Sequence, residues 1–198
     1  MATIDDILTT QKNGVIAINN LSQTLSSFYT VYQSVTGKAT SNTLDTTSAV
    51  FVGSGRLVGF TVMTAGSTTG ALYDAVLVNI TGASYTTTAA TLVYGSAKAV
   101  FAVGDKIIVS GMVPSGYNGT YTVTAIGTDI TTGAPNVTYA NTTNAAFTTY
   151  GIAFNGSIKN QRATVTNSAN YYPYNILLNN GLVYVPGTNQ TANFTYSQ

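Results

Sequence analysis

Residues 97–151 read AKAVFAVGDKIIVSGMVPSGYNGTYTVTAIGTDITTGAPNVTYANTTNAAFTTYG, and this stretch decides the fold class. Runs of β-branched and aromatic residues alternate with polar ones in KIIVS (106–110), TYTVTAI (120–126) and NVTYA (136–140). Each run ends at a turn signal: Gly104-Asp105, VPSGYNG at 113–119, or TTGAP at 131–135. A period of two broken by Gly, Asn and Pro clusters specifies short antiparallel strands. Tyr121 and Val123 fall on one face of such a strand, and Gly111 and Gly119 stand where the chain bends. The segment reads as a self-contained Ig-like β-sandwich.

The same pattern continues on both sides. Candidate strands lie at 49–52, 56–64, 71–78 and 98–102, and again at 151–154, 162–166, 175–178, 182–185 and 192–196. The expected fold is mainly β. A sandwich or jelly-roll-like domain made of 49–96 plus 152–198 carries the Ig-like insert 97–151.

Before these strands the period changes. Positions 4, 8, 11, 15, 18, 22, 25, 29 and 32 follow alternating spacings of four and three. They hold Ile4, Leu8, Gln11, Val15, Ile18, Ser22, Leu25, Tyr29 and Tyr32, a heptad-like seam widened by Ile7, Leu21 and Phe28. Residues 1–35 therefore read as a helix, with Thr3 as N-cap and Asp5 and Asp6 in the first turn. Gln11 and Ser22 are polar breaks suited to fixing register. The seam fits an oligomeric coiled coil, or a lone amphipathic helix packed on its own domain. Gly37 is the expected stop, and residues 36–48 the expected polar linker.

Composition narrows the function. Charged residues make up 7% of the 198, far below the usual quarter. Net charge is +1; Glu, His, Cys and Trp are absent, while Thr, Ser and Asn number 35, 15 and 18. Hydrophobic residues at 44% predict a folded chain, and weak self-repulsion suits a protein living in an assembly. No secretory leader and no membrane span is read from the sequence.

Without His or Cys, the usual nucleophile–base pairs and zinc sites have no residues to build them. An acid pair would have to come from Asp45, Asp74, Asp105 and Asp129 meeting in space; otherwise each sits in its own turn. GSGRLVG (53–59) lacks the third glycine of a dinucleotide loop and opens a strand, so no cofactor or metal is expected. The seven basic residues are scattered, with only Lys159 and Arg162 near enough for a small patch, so no nucleic-acid partner is expected. Tyr117 and Asn118, in a glycine-flanked turn, are the candidate exposed contacts, of a composition suited to sugar stacking. The competing reading has the insert's tyrosines filling a core.

Three blocks carry a resemblance: MATIDDILTTQKNGVIAINNL (1–21), GRLVGFTVMTAGSTTGALYDA (55–75) and YYPYNILLNNGLVYVPGTNQTANFTYS (171–197). Together they resemble bacteriophage virion structural proteins of the head-fibre, capsid-decoration or appendage type, and the insert resembles Ig-like modules of phage surface proteins. With no apolar run long enough to span a bilayer, no membrane partner is expected. The resemblance implies a non-enzymatic homotrimer or other oligomer on the virion, with three subunits preferred, contacting capsid, portal or tail proteins. It implies core or subunit-contact roles for Tyr73 and Tyr184, and a turn at Gly187. The alternative is a tail or appendage receptor-binding protein recognising a bacterial surface glycan. A hydrolase acting on envelope polysaccharide is a third class, and would need the Asp pair.

Overall fold

The computed structural model describes residues 3–36, 40–96 and 100–198. Helix α1 spans Ile4–Thr36, 33 residues or about 50 Å. Its start is a reciprocal cap, as expected from Thr3. Asp6 N–H donates to Thr3 Oγ1 at 3.2 Å, and Thr3 N–H donates to Asp6 Oδ2 at 2.9 Å. The Thr3 N–H and hydroxyl, both donating to Asp6 Oδ2, hold the Asp6 carboxyl below the usual carboxylate range. Gly37 lies outside the described residues.

The strands of the compact unit Thr40–Tyr196 begin with β1 (Thr40–Leu44), β2 (Ser48–Val52), β3 (Gly55–Thr64), β4 (Gly70–Asp74) and β5 (Leu77–Tyr85). They continue with β6 (Ala89–Tyr94), β7 (Lys106–Ser110), β8 (Gly119–Thr128), β9 (Pro135–Ala140) and β10 (Ile152–Asn155). The last are β11 (Gln161–Val165), β12 (Tyr171–Leu178), β13 (Gly181–Val185) and β14 (Thr191–Ser197).

Two four-stranded sheets, ordered β1-β14-β3-β12 and β11-β4-β13-β2, pack as a sandwich. Their shared core includes Leu57, Phe60, Leu72, Leu182, Tyr184 and Phe194. Tyr184 and Phe194 meet with ring centroids 4.8 Å apart. Tyr73 and Tyr184 are both buried. In the turn between β13 and β14, Gln190 N–H donates to Gly187 O, and a Cβ on Gly187 would collide with the Thr68 backbone.

The insert departs from expectation in extent and in form. It runs from β5 to β10, and its strands close into a barrel ordered β10-β5-β6-β9-β8-β7 in place of an Ig-like pair of sheets. Closure depends on two long strands that serve both sides. Residues 77–79 of β5 pair with β10, and 80–85 pair with β6 across a bulge at Ile80/Gly82. Residues 119–122 of β8 pair with β7, and 123–128 pair with β9 across a bulge at Val123/Ala125. Bulges bend strands and increase their twist, which is what a six-stranded closure needs. Ile107, Leu92, Val137 and Tyr139 fill the interior with no exposed surface.

Two further segments are corrected. The expected linker contains β1, paired with β14 from Thr40↔Tyr196 to Leu44↔Ala192. Its polar sequence suits an exposed edge strand. The candidate strand at 98–102 is irregular over its described part: Phe101 is buried in the barrel core, and Gly104, at φ +90°, begins a turn instead.

Candidate functional site

The feature that single-chain folding leaves unexplained is the apolar stripe of α1. Every residue from Thr3 to Tyr29 is exposed. Ile4 is 83% exposed, Leu8 63%, Val15 58%, Ile18 67% and Leu25 66%. Tyr29 is exposed too, whereas the side chain of Tyr32 lies outside the described ones. Summed over the seam and over Ile7, Leu21 and Phe28, this apolar surface is on the order of 1,000 Å², beyond the few hundred of an ordinary monomer patch. Scattered apolar residues on a surface need no explanation, but a continuous stripe at heptad spacing does.

Tyr117 and Asn118 do not form an exposed contact. Tyr117 is fully buried, its ring 4.1 Å from Phe147, closing one end of the barrel. Its hydroxyl lies 2.7 Å from the carbonyl oxygens of Thr143 and Ala145 and accepts from Ala145 N–H at 3.3 Å. Tyr139 Oη donates to Tyr117 O at 3.1 Å. Asn118 is half-buried, and both ends of its amide are held by the Met112 backbone, at 2.8 and 2.9 Å. GYNG is thus a latch between the β7–β8 and β9–β10 connections. A Cβ on Gly116 would collide with the Thr143 side chain, and the short helical turn Ser115–Tyr117 carries the tyrosine into the core instead of into water.

Beside this latch is an open cleft of about 330 Å³ lined by Thr88, Gly116, Tyr121 and residues 140–143. Its amide and phenol are already engaged. Asn141 donates to Gly116 O at 3.1 Å and to Tyr121 Oη at 3.2 Å, and its Oδ1 accepts from Thr143 N–H at 2.7 Å. Tyr121 stacks on Tyr139 at 4.4 Å.

The aspartates each have their own partners. Asp74, buried, accepts from Arg162 at 2.9 Å and from the backbone N–H groups of Asn179 and Asn180. Asp105 accepts from Lys159 at 2.7 Å, Asn155 at 2.6 Å, Ser157 at 3.3 Å and Ala102 N–H at 3.0 Å. Burial by itself would raise the Asp105 carboxyl, but these donors outweigh it and hold it below the usual range. Asp129 caps its own turn through Thr131 and Thr132, which lowers it too. Asp45 is exposed in the turn between β1 and β2. Lys159 and Arg162 face separate carboxylates, so the expected small basic patch is instead two ion pairs. Among the described residues no group of three or more His, Cys, Asp or Glu is placed to hold a metal ion.

What stands out among the described residues is a mainly β fold in which no polar site is assembled and a large apolar stripe is exposed on α1. Comparison with protein-family models, with curated proteins and with solved structures found no match.

Proposed function

We propose that this chain is a non-enzymatic bacteriophage virion structural protein. It is a subunit that self-associates through α1, cements or decorates the particle, and displays its β unit. One observation carries the reading: about nine apolar side chains at heptad spacing stand exposed on a 33-residue helix. The resemblance of 1–21, 55–75 and 171–197 to virion proteins points the same way. So does a surface of hydroxyls and amides with 7% charged residues, which leaves little repulsion between crowded copies.

Two measurements test it. Light scattering on the full-length chain should give a multiple of the 20.6 kDa monomer mass. Virions propagated with the gene deleted should lose a projecting density in electron micrographs, or release their genome more readily on heating. A monomer at high concentration, together with deletion particles identical in density and stability to the parent, would sink the proposal.

A further inference from the structure

We infer that the stripe of α1 is covered by the same stripe of a second copy running antiparallel, with Gln11 of each chain opposite Ser22 of the other. This rests on the proposal that α1 mediates self-association, and it adds the orientation and register.

Written as heptads over Ile4–Tyr29, the core positions are Leu8, Val15, Ser22 and Tyr29 at a, and Ile4, Gln11, Ile18 and Leu25 at d. In an antiparallel pair each a residue faces a d residue of the partner, and two-fold symmetry repeats every contact. One register satisfies all layers at once. Leu8 meets Leu25, Val15 meets Ile18, Ile4 meets Tyr29, and the two polar residues meet each other. No polar group is then buried against an apolar one, which would leave it without a hydrogen bond.

The flanking positions choose the orientation. Position g carries Ile7, Gly14, Leu21 and Phe28, and position e carries Asp5, Lys12, Asn19 and Ser26. Parallel helices set g against e, so Ile7 would face Lys12 and Leu21 would face Ser26. Antiparallel helices set g against g and e against e. Ile7 then packs on Phe28, and Leu21 on Gly14, while Lys12 lies beside Asn19 along a wet edge.

Gly14 is an independent sign. Glycine weakens a helix interior, and a Cβ there would meet nothing within 4 Å, so among the described residues nothing calls for it. Opposite a leucine from a second helix it provides the room that a side chain would fill. The area fits as well: the exposed stripe, on the order of 1,000 Å² per helix, is of the size of the about 800 Å² that each partner buries in a stable interface. Such pairing gives an even number of chains, in place of the trimer implied by the resemblance.

The chain has no cysteine, so introduced thiols report without interference. Full-length Gln11→Cys/Ser22→Cys is oxidised and digested with trypsin, which cuts after Lys12 and Lys38 and so separates the two positions. The expected product joins peptide 1–12 to peptide 13–38, in roughly tenfold or greater excess over like-with-like products. Gln11→Cys alone should stay largely unlinked. Peptides 1–12 joined to each other would overturn the orientation in favour of a parallel bundle, trimer included, and leave self-association standing. An oligomer showing neither linkage would overturn the register. A monomer mass by light scattering would overturn the self-association reading itself.

Discussion

Tyr117 shows how one side chain changes meaning between sequence and fold. Between Gly116 and Asn118-Gly119 it has the surroundings of a solvent-facing turn residue. The short helical turn at Ser115–Tyr117 rotates it inward, onto Phe147 and the Thr143–Ala145 backbone. Tyr117→Phe should therefore lower stability by about 1–2 kcal/mol, because Ala145 N–H loses its acceptor. Equilibrium urea unfolding measures this, and an unchanged midpoint would contradict the latch. Titration tests the other buried polar groups. The Asp105 carboxyl is lowered in the folded chain, so the unfolded chain takes up the proton first. Its contribution is complete above the unfolded pKa of about 4 and is lost as pH falls through the lower folded value. Unfolding midpoints should thus decline below about pH 4, and Asp105→Asn should flatten that decline. At the alkaline end the sign reverses. Burial pushes Tyr184 up to about 12 and raises Tyr139 as well. Stability from these phenols is complete below the unfolded value of about 10 and is lost as pH rises through their raised folded values. Tyrosinate absorbance should accordingly rise in two phases, the later one coinciding with unfolding.

At the scale of elements, patterns that depend on local burial were legible and those that depend on distant partners were not. Residues 56–64 alternate and are β3, and 182–185 lie within β13, since their inward faces are apolar. The run 71–78 reads as one strand, yet it breaks at Ala75-Val76, where the chain leaves the sandwich for the barrel. Nothing local marks that break. β5 runs on past the expected end at 78, and β6 lies where no strand was expected. Their alternation is carried by Thr, Ala and Gly as much as by large apolar residues, and pairing with β10 and β9 assigns them to the barrel. β1 escaped because an edge strand exposed along much of its length needs no apolar face. The helix was the most legible element, since Thr3, Asp6 and the seam all act within a few turns. Its stripe also gives the sharpest test. Ile18 is 67% exposed in the single chain, so Ile18→Asp should leave the thermal transition of the β unit within about 0.5 kcal/mol of the parent. In the proposed pairing the same change should weaken self-association by about 3 kcal/mol, roughly a hundredfold in Kd, by forcing a carboxylate into the helix interface. Sedimentation over a concentration series separates these effects, and unaltered association would remove Ile18 from the seam.

For the β unit as a whole, the barrel is held between two neighbouring strands of one sandwich sheet. The chain enters it from β4 and returns through β11, and these pair from Gln161↔Tyr73 to Val165↔Gly70. Forming that pair in an unfolded chain means closing a loop of nearly ninety residues, and a folded barrel brings its ends together and removes most of that entropic cost. The two cores also touch. Tyr73, Ala75 and Val183 of the sandwich side cluster with Phe154 of the barrel, and the Tyr73 and Phe154 rings lie 5.4 Å apart. Sandwich and barrel should therefore unfold together, in one transition seen alike by tyrosine fluorescence and far-ultraviolet circular dichroism. Phe154 is fully buried at this junction, so Phe154→Ala removes a ring from both bodies at once. It should cost about 3–5 kcal/mol, and because the cavity falls between the cores, the single transition should broaden or divide. If Phe154→Ala kept one sharp transition at the parental midpoint, the junction would be a passive contact. The coupling would then rest on chain connectivity alone.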